Sequence, residues 1–173
     1  MMREFTRTNF TNLDKVLYPE LGITKSQVIE YYIRVASHML PFLIDRALVR
    51  TRYPDGINEE GFYEKDAPKG TPEWVKTFTK FSESVKKNTD YVVCNDLDTL
   101  LWLANLAALE LHIPLSKIPK TEIPDIAFFD LDPEPPARLE EAVNAAFLLR
   151  ELLENLGLKS FVKSSGKKKA STW

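Results

Sequence analysis

Two aspartates, Asp130 and Asp132, stand two residues apart in the run Phe129-Asp130-Leu131-Asp132-Pro133. The apolar stretch 126–129 before them predicts a buried strand, and Pro133 predicts its end. Because side chains alternate faces along a strand, both carboxylates would point the same way, with Cα atoms about 6.5 Å apart. Carboxylates so placed can share divalent ions that clamp the attacking and leaving oxygens of a phosphoryl transfer. A polar strand exit into a proline-rich turn explains the same residues without chemistry.

Two lysines suggest a second kind of site, for an anion. Lys15 and Lys25 lie ten residues apart, and Lys25 falls in the first turn of a helix that the pair Thr24 and Gln27 predicts as a capping box. The backbone N–H groups and the dipole of a helix N-terminus already attract anions. Together the two lysines could hold a terminal phosphate, although two solvent-exposed lysines would give the same pattern.

The residues 61–65 place two adjacent aromatics, Phe62 and Tyr63, and Lys65 on a predicted strand. Such a strand can form a stacking platform for an unpaired base. Adjacent strand residues face opposite sides, so we expect one aromatic to lie in the core and only one to be available for stacking.

Two further groups could contact a nucleotide. Ser165, Gly166, Lys167 and Lys168 follow the last predicted strand, and a turn of this kind can present hydroxyl, N–H and ammonium groups to a triphosphate. A basic tail would have the same composition. His112 is expected at the C-terminal end of a buried helix, where the dipole favours a positive ring that could contact a phosphate or sugar. A structural histidine is the alternative.

A mixture of helices and strands must position these residues. The turn Pro54-Asp55-Gly56 predicts a hairpin, with Arg50 and Arg52 on one strand face. Helices are predicted after Thr24, with Pro41 interrupting the pattern, after Asp96 through Leu111, and from Leu139 to a C-cap at Gly157. Further strands are predicted at 91–94 and 158–163. This order predicts one α+β domain with a mixed or antiparallel sheet.

The composition is that of an ordinary globular domain. The chain has 173 residues, is 44% hydrophobic and carries a net charge of −2, so any binding of nucleic acid must be local. Cys94 is the only cysteine, which excludes an intrachain disulfide. No apolar stretch is long enough for a membrane span or a secretory signal, and we expect a cytoplasmic protein.

The joint order of these motifs resembles that of the primase-polymerase domain attached to bacterial ligase D, and of its stand-alone archaeal counterparts in non-homologous end joining. These domains belong to the archaeo-eukaryotic primase superfamily. The matching segments run through nearly the whole chain. They are Thr11-Asn12-Leu13-Asp14-Lys15-Val16-Leu17-Tyr18-Pro19, Gly22-Ile23-Thr24-Lys25, Phe62-Tyr63-Glu64-Lys65-Asp66-Ala67-Pro68, Leu101-Trp102-Leu103-Ala104-Asn105, Glu110-Leu111-His112, Phe129-Asp130-Leu131-Asp132-Pro133 and Ser165-Gly166-Lys167.

The resemblance implies a primase-like fold and a set of roles. Lys15 and Lys25 would bind the 5′-phosphate at a DNA break, and Phe62 or Tyr63 would stack on the template. Asp130 and Asp132 would be the catalytic, metal-binding residues, with Mn²⁺ or Mg²⁺. The residues expected to contact the incoming NTP or dNTP are Lys65, His112, Ser165, Gly166, Lys167 and Lys168. The reaction would be template-directed transfer of a nucleotide to a 3′-hydroxyl, and a DNA ligase and a Ku-like end binder would be partners.

The sequence departs from the family pattern after Ser165-Gly166-Lys167, where the family continues with a functional histidine and a strand that carries a third metal-binding aspartate. We therefore expect a partial domain over 1–173, lacking its C-terminal part. Residues 1–120 would carry the 5′-phosphate and template contacts, and 121–173 would begin the catalytic subdomain. One hypothesis is that a second polypeptide docks on the strand 158–163 and completes the domain. The other is that the lysine run marks a reading-frame slip or a truncated end. The alternative function is a non-catalytic module that binds 5′-phosphorylated DNA ends.

Overall fold

A computed structural model describes residues 6–83 and 86–163 of the chain. The chain divides into two compact units, Met1–Asp125 and Ile126–Trp173. In the first unit the elements are β1 Val16–Tyr18, β2 Ile23–Thr24, α1 Lys25–Leu43, β3 Ala47–Arg52, β4 Phe62–Glu64, β5 Thr77–Ser82, β6 Lys87–Val93, α2 Leu97–Asn105 and β7 Ala108–His112. In the second unit the element is α3 Leu139–Asn155. The predicted α+β class with an antiparallel sheet is confirmed.

The first helix begins where its capping box predicts. The Oε1 atom of Gln27 accepts a hydrogen bond from the backbone N–H of Thr24 at 2.8 Å, which satisfies one of the amide groups exposed at a helix N-terminus. Pro41 does not end the helix, which continues to Leu43. Its position near the C-terminus limits the loss of backbone hydrogen bonding.

Strand β3 is the centre of the sheet. It pairs antiparallel with β4, where Arg50 lies opposite Glu64, and this confirms the predicted hairpin. It also pairs with β6 through Ala47 and Leu48, and with β7 through the register Val49 to His112. Strand β5, which pairs with β6, was not predicted because half of its residues are exposed and only Phe78 and Phe81 are apolar.

The helix predicted from Leu97 to Leu111 is wrong in its second half. Helix α2 ends at Asn105, Ala107 adopts a left-handed backbone conformation (φ 56°), and the chain continues as strand β7. Both elements contribute buried residues, so the apolar run showed no change of period at the boundary. His112 therefore lies on a strand, and the helix-dipole argument for its charge does not apply.

The core of the first unit joins both helices to the sheet. Its completely buried members include Ile29 of α1, Leu48 of β3, Val92 of β6, and Leu100 and Leu103 of α2. Burial of this many branched side chains, at roughly 1.5–3 kcal/mol each, holds β3 and α2 in the positions that frame the site described below.

In the second unit, the helix prediction is confirmed and both strand predictions are wrong. Gly157 follows α3 with φ 73°, as expected for a C-cap glycine. Neither 126–129 nor 158–163 forms a strand. A strand needs a hydrogen-bonded neighbour, and α3 is the element that the structure defines in this unit. Several apolar side chains of α3 are exposed, namely Leu139, Val143, Phe147, Leu148 and Leu152.

Within the described ranges, no helix is long and apolar enough to cross a membrane.

Candidate functional site

A cavity of about 220 Å³ lies in the first unit, where the segment after Phe10 meets the first turn of α1, the end of β3 and the end of α2. Three cationic side chains line it: Lys15, Lys25 and Arg52. The other lining residues are Thr11, Asn12, Pro54, Asn105, Leu106 and Ala107. The structure thus brings the two predicted lysines together and adds Arg52, whose role in this site sequence reasoning missed. The sequence showed the place of Arg52 just before the predicted hairpin turn, but it did not show that the end of β3 lies beside the end of α2.

Lys25 is buried, with 6% of its surface exposed. Its Nζ atom donates to the backbone carbonyl oxygens of Thr11 at 2.9 Å and Asn105 at 2.8 Å. Burial, followed by the nearby charges of Lys15 and Arg52, lowers the pKa of Lys25 from its ordinary value. An ammonium group has three donors, so two carbonyl contacts leave one N–H for a ligand in the cavity.

The other two cations are held less tightly. The Nζ atom of Lys15 forms an ion pair with Oδ1 of Asp55 at 2.6 Å. Arg52 donates from Nε to the carbonyl oxygen of Leu106 at 2.9 Å and from Nη1 to Oε1 of Glu64 at 3.0 Å. These contacts fix the plane of the guanidinium and leave its Nη2 donors for a ligand.

The cavity therefore has the chemistry of an anion site. Asp55 pairs with Lys15 and Glu64 pairs with Arg52, so two carboxylates stand beside the three positive charges of the lining, and Lys25 has no carboxylate among its two hydrogen-bond acceptors. Lysine and arginine donors directed at a small concave site favour a phosphate or another compact, multiply charged oxyanion.

A second group of predicted residues lies together on one face of the sheet. Tyr63 and His112 have ring centroids 5.7 Å apart at an interplanar angle of 51°. The Oγ1 atom of Thr51 lies 3.0 Å from Nε2 of His112. The register explains this grouping, because Thr51 pairs with Tyr63 on β4 and with Glu110 on β7.

The expectation that one of the two aromatics would be core is wrong. Phe62 is 55% exposed and Tyr63 is 62% exposed. Strand β4 has only three residues and pairs with β3 alone among the described strands, so little protein covers either of its faces. Either ring is exposed enough to stack on a base. Lys65 and Tyr63 also line a neighbouring cavity of about 560 Å³.

The predicted metal residues are not assembled into a site here. Asp130 and Asp132 are exposed and lie in a segment without regular strand structure, so the predicted alternation does not place them on one face. Across 6–83 and 86–163, no group of three or more His, Cys, Asp or Glu side chains is arranged to hold a metal ion. The described residues therefore do not by themselves assemble a metal centre of three such ligands. Ser165, Gly166, Lys167 and Lys168 lie outside the described residues.

The sequence matches a known family and several of its members over most of its length. Residues 24–169 match the family model described as LigD, primase-polymerase domain. The chain is 39% identical over 162 residues to the bifunctional non-homologous end joining protein LigD of Bacillus subtilis, a match that covers 94% of this chain and 25% of that protein. It is 34% identical over 173 residues to the multifunctional non-homologous end joining protein LigD of Mycolicibacterium smegmatis, covering 96% of this chain and 22% of that protein.

A solved structure shows the same fold. The polymerase domain of Mycobacterium tuberculosis ligase D, in complex with DNA, superimposes with a TM-score of 0.82 at 34% sequence identity. The match covers 96% of this chain and 60% of that chain. The chain thus spans about a quarter of the length of the curated relatives named above. On the extent of the family match and the similarity of the fold, the chain belongs to the LigD primase-polymerase domain family.

Proposed function

We propose that this chain takes part in non-homologous end joining as a DNA repair polymerase domain that recognises the 5′-phosphate of a DNA break. The observation that carries the proposal is the cavity lined by Lys15, Lys25 and Arg52. Membership of the family supports it, because the relatives are non-homologous end joining proteins and the solved neighbour is a polymerase domain in complex with DNA.

A terminal phosphate matches the donors of this cavity better than an internal phosphate does. A terminal phosphate carries close to two negative charges at neutral pH, and an internal phosphodiester carries one. Lys25 and Arg52 keep donors available while their other hydrogen bonds hold them in place. Lys15 would exchange its contact with Asp55 for the phosphate. The geometry therefore favours the end of a strand over its interior.

The exposed aromatics would serve the template. Tyr63 and Phe62 present ring surface on a short edge strand. Stacking of a base on such a ring contributes about 1–3 kcal/mol and tolerates any base identity, which suits a template of arbitrary sequence. Lys65 and His112 would contact the incoming NTP or dNTP, together with Ser165, Gly166, Lys167 and Lys168.

We propose that catalysis requires metal ligands and protein structure in addition to those of the described residues. Asp130 and Asp132 are carboxylates of the type that binds Mn²⁺ or Mg²⁺, and we propose that they become part of the metal site once further ligands are supplied. The exposed apolar side chains of α3, with Phe147 64% and Leu148 68% exposed, support a requirement for additional protein structure. That structure would come from a second polypeptide or from further sequence of the same protein. A DNA ligase and a Ku-like end binder are the proposed partners.

The test is nucleotide addition on a gapped duplex that carries a 5′-phosphate, with Mn²⁺ and NTPs. The chain would be assayed alone and after addition of the part of the Mycobacterium tuberculosis polymerase domain that lies outside the match, which covers 60% of that chain. We expect Asp130→Asn and Asp132→Asn to abolish addition and to retain end binding, whereas Glu151→Gln, an exposed change on α3, should retain both. Addition that survives the loss of both aspartates would refute their catalytic assignment.

The second candidate function is a module that binds phosphorylated ends without chemistry. It is favoured by one observation: every residue of the cationic cavity belongs to the first unit. It predicts end binding by the chain alone, no nucleotide addition under any complementation, and loss of binding in Lys15→Ala.

A further inference from the structure

We propose that Glu110 is a positioning residue that fixes the imidazole ring of His112, and that Tyr53 holds Glu110 in place. The inference rests on the proposed function in one respect, which is the contact of His112 with the incoming nucleotide. Neither Glu110 nor Tyr53 is assigned a role by the family resemblance described above.

The contacts form a continuous chain of polar atoms. The hydroxyl of Tyr53 donates to Oε1 of Glu110 at 3.0 Å. The other carboxylate oxygen, Oε2, lies 3.4 Å from Nε2 of His112. Glu110 and His112 are alternate residues of β7, and β7 pairs with β3, so both side chains project from the same face of the sheet.

These contacts define which ring nitrogen faces the protein. A carboxylate only accepts hydrogen bonds, so Glu110 favours a proton on Nε2 of His112. The hydroxyl oxygen of Thr51 lies 3.0 Å from the same nitrogen and can also accept a hydrogen bond from Nε2–H. The ring of Tyr63 packs beside the imidazole and restricts its rotation. Nδ1 is then the nitrogen left to accept a hydrogen bond from a sugar hydroxyl.

Close packing against Gly61 holds the side chains of Tyr53 and Thr51 in place. A Cβ atom at Gly61 would lie 2.7 Å from Cε1 of Tyr53 and 2.9 Å from Cγ2 of Thr51. Any side chain at position 61 must therefore displace both residues that flank the Glu110–His112 pair. Glycine is required here for space, because its φ is not in the left-handed region.

The Tyr53 hydroxyl, which donates to Glu110, stays protonated. Burial, then the hydrogen bond and the negative charge of Glu110, raise the pKa of Tyr53 from its ordinary value. The phenol therefore remains a donor to Glu110 throughout the range in which the protein would bind a nucleotide. Tyr18 is the other ionisable group that influences Tyr53, and it is itself a neutral phenol at such pH.

The chain contains only two histidines, His38 and His112, so imidazole signals in NMR spectra can be assigned directly. We expect ring-to-ring nuclear Overhauser effects between His112 and Tyr63 and a ¹⁵N pattern of the Nε2–H tautomer in the full chain. Glu110→Ala should abolish the nuclear Overhauser effects and mix the tautomers. Glu110→Gln keeps an acceptor oxygen and should restore most of the order. His38 is the internal control, and Glu59→Gln, at an exposed loop position, is the matched variant.

Two further variants test the residues that hold Glu110 and His112 in place. Tyr53→Phe removes the donor to Glu110, and Gly61→Ala displaces Tyr53 and Thr51 by contact. Both should increase the mobility of the His112 ring, by less than Glu110→Ala does. His112 signals that are the same in Glu110→Ala and in the unmodified chain, with the amide spectrum showing a folded protein, would overturn the inference.

A second measurement separates this inference from the proposed function. ATP with Mg²⁺ is titrated into the chain while the ring signals are followed. We expect the ring signals of His112 to shift on addition of ATP. Glu110→Ala should raise the dissociation constant for ATP about tenfold and leave the affinity for DNA ends unchanged. If ATP leaves His112 unmoved while Glu110→Ala still disorders the ring, the nucleotide role of His112 is wrong and the positioning role stands. If ATP moves His112 equally in both proteins, the positioning role is wrong.

Discussion

The ammonium of Lys25 donates a 2.8 Å hydrogen bond to the carbonyl oxygen of Asn105, the last residue of α2. A second bond, at 2.9 Å, reaches the carbonyl oxygen of Thr11. One side chain at the start of α1 therefore joins the N-terminal segment to the end of α2 and also lines the cationic cavity. Structure and ligand binding depend on the same charge.

Replacement of Lys25 should destabilise the fold as well as weaken binding. Lys25→Met fills a similar volume but leaves two carbonyl oxygens near a buried position without their donor. We expect the free energy of unfolding to fall by about 2 kcal/mol, as is typical for buried polar groups that lose a partner. Urea denaturation followed by circular dichroism measures it, with the exposed change Lys69→Met as the control. Equal midpoints for the two variants would contradict a structural role for Lys25.

Arg52→Lys tests whether the guanidinium shape matters beyond its charge. Lysine keeps the positive charge but cannot donate to Leu106 and Glu64 and also present a second nitrogen to the cavity. We expect affinity for 5′-phosphorylated ends to fall about tenfold and affinity for 5′-hydroxyl ends to change little, a difference near 1.4 kcal/mol. Fluorescence anisotropy with both duplexes measures the two effects. An equal loss for both ends would show that Arg52 acts on the DNA backbone in general.

Asp55→Asn should strengthen end binding. The carboxylate of Asp55 competes with a bound phosphate for the Lys15 ammonium, from which it lies 2.6 Å away. Removal of its charge frees Lys15 and removes a repulsion, and we expect a several-fold lower dissociation constant for phosphorylated ends at low salt, with less gain at higher salt. Weaker binding in Asp55→Asn would mean that the carboxylate orients Lys15 for the ligand.

The pH dependence of end binding should have two limbs. Affinity should rise as the phosphate loses its second proton near pH 6. It should fall again in the alkaline range, because binding needs protonated Lys25 and burial has lowered the pKa of Lys25 below its ordinary value of 10.5. Since the charged form is the one that binds, raising the pH through that pKa removes affinity. The difference between phosphorylated and hydroxyl ends, measured by anisotropy from pH 5 to 10, isolates both limbs. A difference that stays constant over this range would contradict the account.

Local signals predicted much of the first unit. The Thr24–Gln27 capping box marked the start of α1, and Pro54-Asp55-Gly56 marked the hairpin turn. The boundary between α2 and β7 could not be predicted in the same way, because α2 and the start of β7 at Ala108 are both buried and the apolar run continues through Ala107. Tertiary pairing with β3, and not a local pattern, turns Ala108–His112 into a strand.

The site residues also divide into those that local sequence patterns predicted and those that only the tertiary structure reveals. The two lysines were predicted as a pair, whereas Arg52 enters the cavity through the position of β3 relative to α2, which the sequence does not display. Strands at 126–129 and 158–163 were predicted from apolar composition alone. Such composition also fits segments that lack a neighbouring strand, and neither forms a strand in the structure. The roles of Asp130, Asp132 and the glycine-lysine turn stay predictions.

The most direct test of the central claim is fluorescence anisotropy, at one fixed salt concentration, of the chain binding to gapped duplexes that differ only in a 5′-phosphate or a 5′-hydroxyl at the recessed end. The account predicts a preference for the phosphate of at least about tenfold, lost in Lys15→Ala. Equal affinity for the two duplexes by the folded chain would contradict the assignment of the Lys15, Lys25 and Arg52 cavity as a phosphate site.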